Sequence, residues 1–359
     1  MEVAAFTPKQ AIFARDHKFL PNAFFDPRFI GYFGTKWLCC GRLLQGVSPM
    51  RTKVATVWAA HLWTCLWAFS WLLPIFLINT QANGASAQKV MSICGRNRLS
   101  SRMLQGEPSS QLTGGVEAPL GEWPWQIRLG AKQGRNLISW FCGGSIISEN
   151  YILTAAHCLE SGPNAQYVVR VGDHNANAYE QGEEDYAVLR WRIHPMYNKA
   201  DNFANDIAIL RLARPIRYHR RVTPICLPHK VNEEPAVGTT CMVTGWGMIG
   251  AGNAPFSSVL RQGRVVVLSR FVCRDRSYWG PSVKDSNICA GYPDGHVDAC
   301  KGDSGGPLVC YDEKEDHWSL QGLVSFGWDQ GCGFAKKPAI YTKVSSYLNW
   351  IHLTTGNTV

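Results

Sequence analysis

A chain of 359 residues with 46% hydrophobic and 18% charged side chains has room for about two domains and the balance of a globular protein. Its formal net charge of +9 suggests nucleic acid or a membrane surface until the charge is located. From Leu112 onward there are 24 basic and 23 acidic residues, against 12 and 4 before it, so the bulk of the chain is nearly neutral, which argues against nucleic-acid binding there.

Residues 1–53 mix aromatics, prolines and glycines without sustained periodicity, and predict a cytoplasmic or non-native extension. Residues 54–78 form an uncharged apolar run, long enough to span a bilayer. Lysines and arginines are commoner before it than just after it, the bias of a type II anchor with the C-terminal part outside the cell. A second reading fits the same residues: Met50-Arg51-Thr52-Lys53 resembles the charged start of a signal peptide, with a small-residue cleavage site at Ala85-Ser86-Ala87. Either places the remainder outside the cell, membrane-tethered or secreted. Residues 79–111 read as a polar linker and propeptide.

Beyond residue 122, short β-rich runs separated by turn signals predict strands over 125–129, 141–147, 167–171, 187–193 and 207–212, then 240–245, 264–268, 307–310, 320–326 and 340–344. This spacing indicates an all-β sandwich or barrel, closed by a helix over 345–355 with Tyr347, Leu348 and Ile351 on one face. Thirteen cysteines divide into Cys39, Cys40 and Cys65, and an even set of ten from Cys94 onward without the paired spacing of zinc ligands.

Three segments carry chemistry. Asp298-Ala299-Cys300-Lys301-Gly302-Asp303-Ser304-Gly305-Gly306-Pro307 presents a serine among glycines, where backbone N–H groups can crowd around it. A serine hydroxyl needs a base and an orienting acid. Thr154-Ala155-Ala156-His157-Cys158 supplies an imidazole, and Asn205-Asp206-Ile207 a carboxylate at the head of an apolar run. In this order, and with Gly245-Trp246-Gly247, the segments resemble the trypsin and chymotrypsin family of serine endopeptidases over residues 112–359. The resemblance implies two antiparallel six-stranded β-barrels, a His157, Asp206 and Ser304 triad, an oxyanion hole at the N–H groups of Gly302 and Ser304, and no required cofactor or metal. It also implies disulfides Cys94–Cys226, Cys142–Cys158, Cys241–Cys310, Cys273–Cys289 and Cys300–Cys332, hence an oxidising compartment. Asp298 corresponds to the acid at the base of the substrate pocket, with Ser325, Gly327 and Ala339 on its walls. A buried carboxylate there calls for a cationic residue, and Ala299, lacking a hydroxyl, favours arginine over lysine.

Three positions depart from the family pattern. Phe326, in Ser325-Phe326-Gly327, stands where relatives commonly have tryptophan and keeps an apolar wall. Ala339 stands where trypsin-like members usually have glycine. Gln111 precedes Leu112-Thr113-Gly114-Gly115, where zymogens are usually cut after a basic residue so that the new amino group can pair with Asp303. The resemblance therefore implies a zymogen that needs an activating protease of other specificity, acting on protein or peptide substrates. The alternative is a catalytically silent relative with a binding or regulatory role. Asp173, Glu180 and Glu183 lie where some members bind calcium, and a solvated acidic loop explains them equally. Arg217-Tyr218-His219-Arg220-Arg221 is a basic run that is either simply exposed or in contact with a polyanion.

Overall fold

The computed structural model describes residues 93–97, 115–134, 137–162, 164–250 and 252–359. The expectations for 1–53, for the apolar run 54–78 and for Gln111 and Leu112 lie outside these residues. Among the described residues no helix is long and apolar enough to cross a membrane.

Strands form over short, mostly apolar runs bounded by turns. Strand β7 (Ala208–Leu212) buries Ala208, Ile209, Leu210 and Leu212 and turns Arg211 to solvent. With β2 (Gln126–Lys132), β3 (Ile138–Ile146), β4 (Tyr151–Thr154), β5 (Tyr167–Val171) and β6 (Glu184–Ile193) it closes an antiparallel barrel in the order β2-β3-β4-β7-β6-β5. The second barrel uses β8 (Thr240–Gly245), β9 (Arg261–Val267), β10 (Asn287–Gly291), β11 (Pro307–Asp312), β12 (His317–Phe326) and β13 (Ile340–Lys343). Its order, β9-β10-β13-β12-β11-β8, closes through β8–β9 pairing, and the two-residue β1 (Val116–Glu117) adds to β9. The fold is thus the expected pair of six-stranded barrels.

Ile127, Leu129, Ile152, Val169 and Leu210 fill the first interior, and Val265, Ile288, Leu308 and Tyr341 the second. Each fully buried aliphatic side chain contributes about 1.5–3 kcal/mol. Strands β4 and β10 were not anticipated from the sequence: β4 has four residues, and β10 carries Asn287, Cys289 and Gly291, which blur an apolar pattern. The C-terminal helix is shorter than expected. Val344–Tyr347 form a 3₁₀ turn, and an α-helix follows over Leu348–Thr355, ended by Gly356 at φ 68°. The turn seats the buried Tyr347, whose hydroxyl donates to Asn205 Oδ1 at 3.1 Å. Preceding it, Ser269 caps a four-residue helix, Arg270–Cys273, by accepting from the Phe271 N–H.

Five disulfides join Cys94 to Cys226, Cys142 to Cys158, Cys241 to Cys310, Cys273 to Cys289 and Cys300 to Cys332. Around the first, residues 93–97 are also held by backbone bonds: Gly95 N–H donates to Pro224 O, and Trp318 N–H to Gly95 O, at 2.9 and 2.8 Å. Gly95 has φ 64°, and a Cβ there would fall 2.1 Å from Trp318 O, so only glycine fits. Asn97 Nδ2 donates to the buried Glu122 at 2.7 Å.

Candidate active site

His157 sits on a 3₁₀ turn, Ala156–Leu159, that follows β4 and is tied to β3 by the Cys142–Cys158 bridge. Asp206 lies two residues before β7, behind three non-glycine residues with positive φ, Asn202, Phe203 and Asn205. Such φ values cost energy in most residues and mark a loop shaped by its surroundings. Here the Tyr347 bond and a 2.8 Å bond from Asn205 Nδ2 to Met196 O hold Asn205 in place.

Asp206 is fully buried. Its Oδ2 pairs with His157 Nδ1 at 2.7 Å and accepts from Ser325 Oγ at 2.6 Å, and its Oδ1 accepts from the His157 N–H at 2.9 Å. Three donors engage both oxygens of the buried carboxylate, and they orient the imidazole so that Nε2 points away from the acid. Ser325 therefore serves Asp206 through its side chain. The Phe203 ring packs edge-on against His157, centroids 5.5 Å apart.

Ser304 precedes β11, and its carbonyl accepts from the Gly143 N–H at 2.8 Å, anchoring the serine turn of one barrel to β3 of the other. Gly305, at φ 74°, permits this approach: a Cβ there would lie 2.2 Å from Thr154 Oγ1. Among the described residues, the N–H groups of Gly302 and Ser304 donate to no protein acceptor. Two free donors on the serine turn, which Gly143 ties to the strand bridged to the His157 turn, can stabilise an oxygen that gains negative charge.

Asp303 points the other way, into a small cavity of about 30 Å³ lined by Gly115, Gly245, Gly247, Arg261 and Gln262. Its oxygens accept from the N–H groups of Gly247 at 2.7 Å and Cys300 at 3.0 Å, and burial pushes its carboxyl up to about 6. A Cβ on Gly245 or Gly247 would lie 2.0 or 2.3 Å from that carboxylate, which is the physical reason for glycine on both sides of Trp246. Arg261 bonds to the Gly115 carbonyl at the edge of this cavity.

A separate cavity of about 100 Å³ opens beside Ser304, walled by Ala299, the Cys300–Cys332 bridge, Val324, Gly327 and Ala339. Asp298 does not line it. Its oxygens accept from Gly333 N–H at 2.9 Å and Ala339 N–H at 3.0 Å, and burial pushes its carboxyl up to about 7. No protein atom lies within 4 Å of a Cβ added to Gly327, so that glycine keeps open space at the cavity mouth.

The acidic loop is also assembled. Carboxylate oxygens of Asp173, Glu180 and Glu183 lie within 4.8 Å of one another. Each also meets an arginine: Arg128 with Asp173 at 2.9 Å, Arg221 with Glu180 at 3.4 Å and Arg170 with Glu183 at 3.7 Å. Asp173 Oδ1 and Glu183 Oε2 are nonetheless buried without a hydrogen-bond partner, so the donor set fits a hard cation. Burial, then the neighbouring Asp173, pushes Glu183 up to about 6.

The sequence did not disclose several supporting residues. Thr342 Oγ1 donates to the Asp206 carbonyl at 2.9 Å, and Trp328, on the cavity beside Ser304, packs edge-on with Trp279, with Lys337 over both rings. None sits in a local motif, so only the folded register brings them in.

Comparison with known proteins adds two findings. A family model described as Trypsin matches residues 112–351. "Ovochymase" of Halocynthia roretzi is 36% identical over 248 residues, which is 69% of this chain and 15% of that protein. The match thus spans about one-seventh of the length of this relative.

Proposed function

The chain belongs to the trypsin family, and on that premise we propose that it is an extracellular serine endopeptidase, made as a zymogen, that hydrolyses peptide bonds after arginine and less readily after lysine. The observation carrying this reading is the buried Asp206 paired with His157 Nδ1 at 2.7 Å, with Ser304 and two free N–H donors on a turn bonded to Gly143, whose neighbour Cys142 is bridged to Cys158 beside His157. Ser304 Oγ attacks the peptide carbonyl as His157 Nε2 takes its proton. The oxyanion rests on the Gly302 and Ser304 N–H groups, each donor being worth about 3–4 kcal/mol in rate. The imidazolium, stabilised by Asp206, gives the proton to the leaving amine, and water repeats the sequence to release the acid product.

A cationic residue entering beside Ala299 and Ala339 would hold Asp298 in its charged form. Activation rests on Asp303. Gly115 lines its cavity, so an amino group created at Leu112, three residues earlier and up to about 10 Å of extended chain away, is within reach of that carboxylate. Calcium bound by Asp173, Glu180 and Glu183 would support the loop that carries them.

The decisive experiment replaces Gln111 with Arg, cuts the chain with trypsin and measures hydrolysis of an arginyl peptide beside uncut wild type. Activity only after the engineered cut supports a competent zymogen. Inactivity with Leu112 freed overturns the enzymatic reading in favour of a silent, binding relative.

A further inference from the structure

The basic run 217–221 does not form one face: Arg221 is engaged with Gly172 O and Gln181 O, and Tyr218 is half-buried. Three other arginines, scattered in sequence, converge instead. Arg190 of β6 and Arg211 of β7 are directly opposed across the antiparallel ladder, and Tyr151 of β4 opposes Arg211 on its other side. Arg192 follows on the face of Arg190, since side chains of a strand return to one face every second residue. Together with Thr354 of the C-terminal helix these residues line a cavity of about 130 Å³.

Every polar side chain around this cavity carries a donor, and no carboxylate lines it. Among the described residues none of the three guanidinium groups forms an ion pair or hydrogen bond, while the acids of the same strand are taken elsewhere, Glu184 by Arg214 and Asp185 by Arg170. Like charges placed directly opposite each other on a sheet are destabilising. Such an arrangement is relieved by an anion between them.

We propose that Arg190, Arg192 and Arg211 form a binding site for a sulfate or phosphate group, outside the catalytic cleft and independent of it. A divalent group with three or four oxygens can accept from three guanidinium forks and the Tyr151 hydroxyl at once, whereas a carboxylate, with two oxygens, satisfies one fork. The group would come as the free anion or as an ester on a sulfated polysaccharide.

The test titrates full-length protein by calorimetry with inorganic sulfate, a sulfated disaccharide and a glutamate-rich peptide, at constant ionic strength set with chloride. Sulfate should bind saturably to wild type and at least tenfold more weakly to Arg190→Gln/Arg211→Gln. The double variant should melt no lower than wild type in low salt, because it loses a repulsive pair, and Arg211→Gln alone should weaken binding to a lesser degree. Tighter binding of the disaccharide than of sulfate assigns the ester, and equal binding assigns the free anion. The proposal fails if the double variant binds as wild type does, if Arg217→Gln/Arg220→Gln weakens binding as much, or if the peptide binds as tightly as sulfate.

Discussion

Ala339 adjoins both the cavity beside Ser304 and the carboxylate of Asp298. Ala339 is only 1% exposed, its N–H holds Asp298 Oδ1, and it lines the cavity that Asp298 does not reach. An extra methyl in a packed wall costs about 1–3 kcal/mol when space is short. Ala339→Gly should therefore raise kcat/KM of the activated enzyme on an arginyl peptide roughly 5- to 150-fold, and an unchanged or lower value would clear Ala339 of blame. With Asp298 pushed up to about 7, a guanidinium ligand should bind the Ser304→Ala protein more weakly as pH falls from 8 to 6; pH-independent titrations would contradict this. The residues of the candidate triad were legible beforehand because each lies in a short motif that its turn requires. The partners of Asp298 were not, since they depend on where Gly333 and Ala339, 35 and 41 residues away, aim their N–H groups.

At the scale of elements, register decides what local pattern could not. Arg190 and Arg211 meet only because β6 pairs with β7 across a bulge between Val188 and Arg190, and no spacing rule in the chain announces that contact. The same holds for the acidic loop between β5 and β6. Asp173, Glu180 and Glu183 were visible as candidates, but not the three arginines brought to them from β2, β5 and the loop after β7. These arginines compete with a cation for the same carboxylates, so the loop poses a clear test. Calcium should raise the melting temperature of wild type, by about 2.7 kcal/mol of stability at one hundred times the dissociation constant, and Glu183→Gln should abolish the rise. If calcium does no more than magnesium or sodium, the arginines alone neutralise the loop.

For the molecule as a whole, four carboxyls wholly or partly removed from solvent set a common pH dependence. Burial pushes Glu122 and Asp298 up to about 7, and Glu183 and Asp303 up to about 6. Between ordinary carboxylate values near 4 and these values the folded chain binds more protons than the unfolded one. The stability they contribute is therefore full below about 4 and lost as pH rises through about 6 to 7. Calorimetry of the uncut protein should show the melting temperature falling from pH 5 to pH 8, and a flat or rising profile would refute it. The fall should be shallower after a cut that supplies Asp303 with an ammonium partner.

The docking of residues 93–97 has a further consequence. Cys94 is bonded to Cys226, 132 residues away, with Gly95 and Asn97 fastened alongside, so a cut anywhere in 98–114 divides the backbone without parting the pieces. Whatever address the upstream stem carries, the severed unit keeps it. On the zymogen reading proposed above, proteolysis here would switch the molecule on while leaving it where it was, and a reductant would be needed to set it adrift.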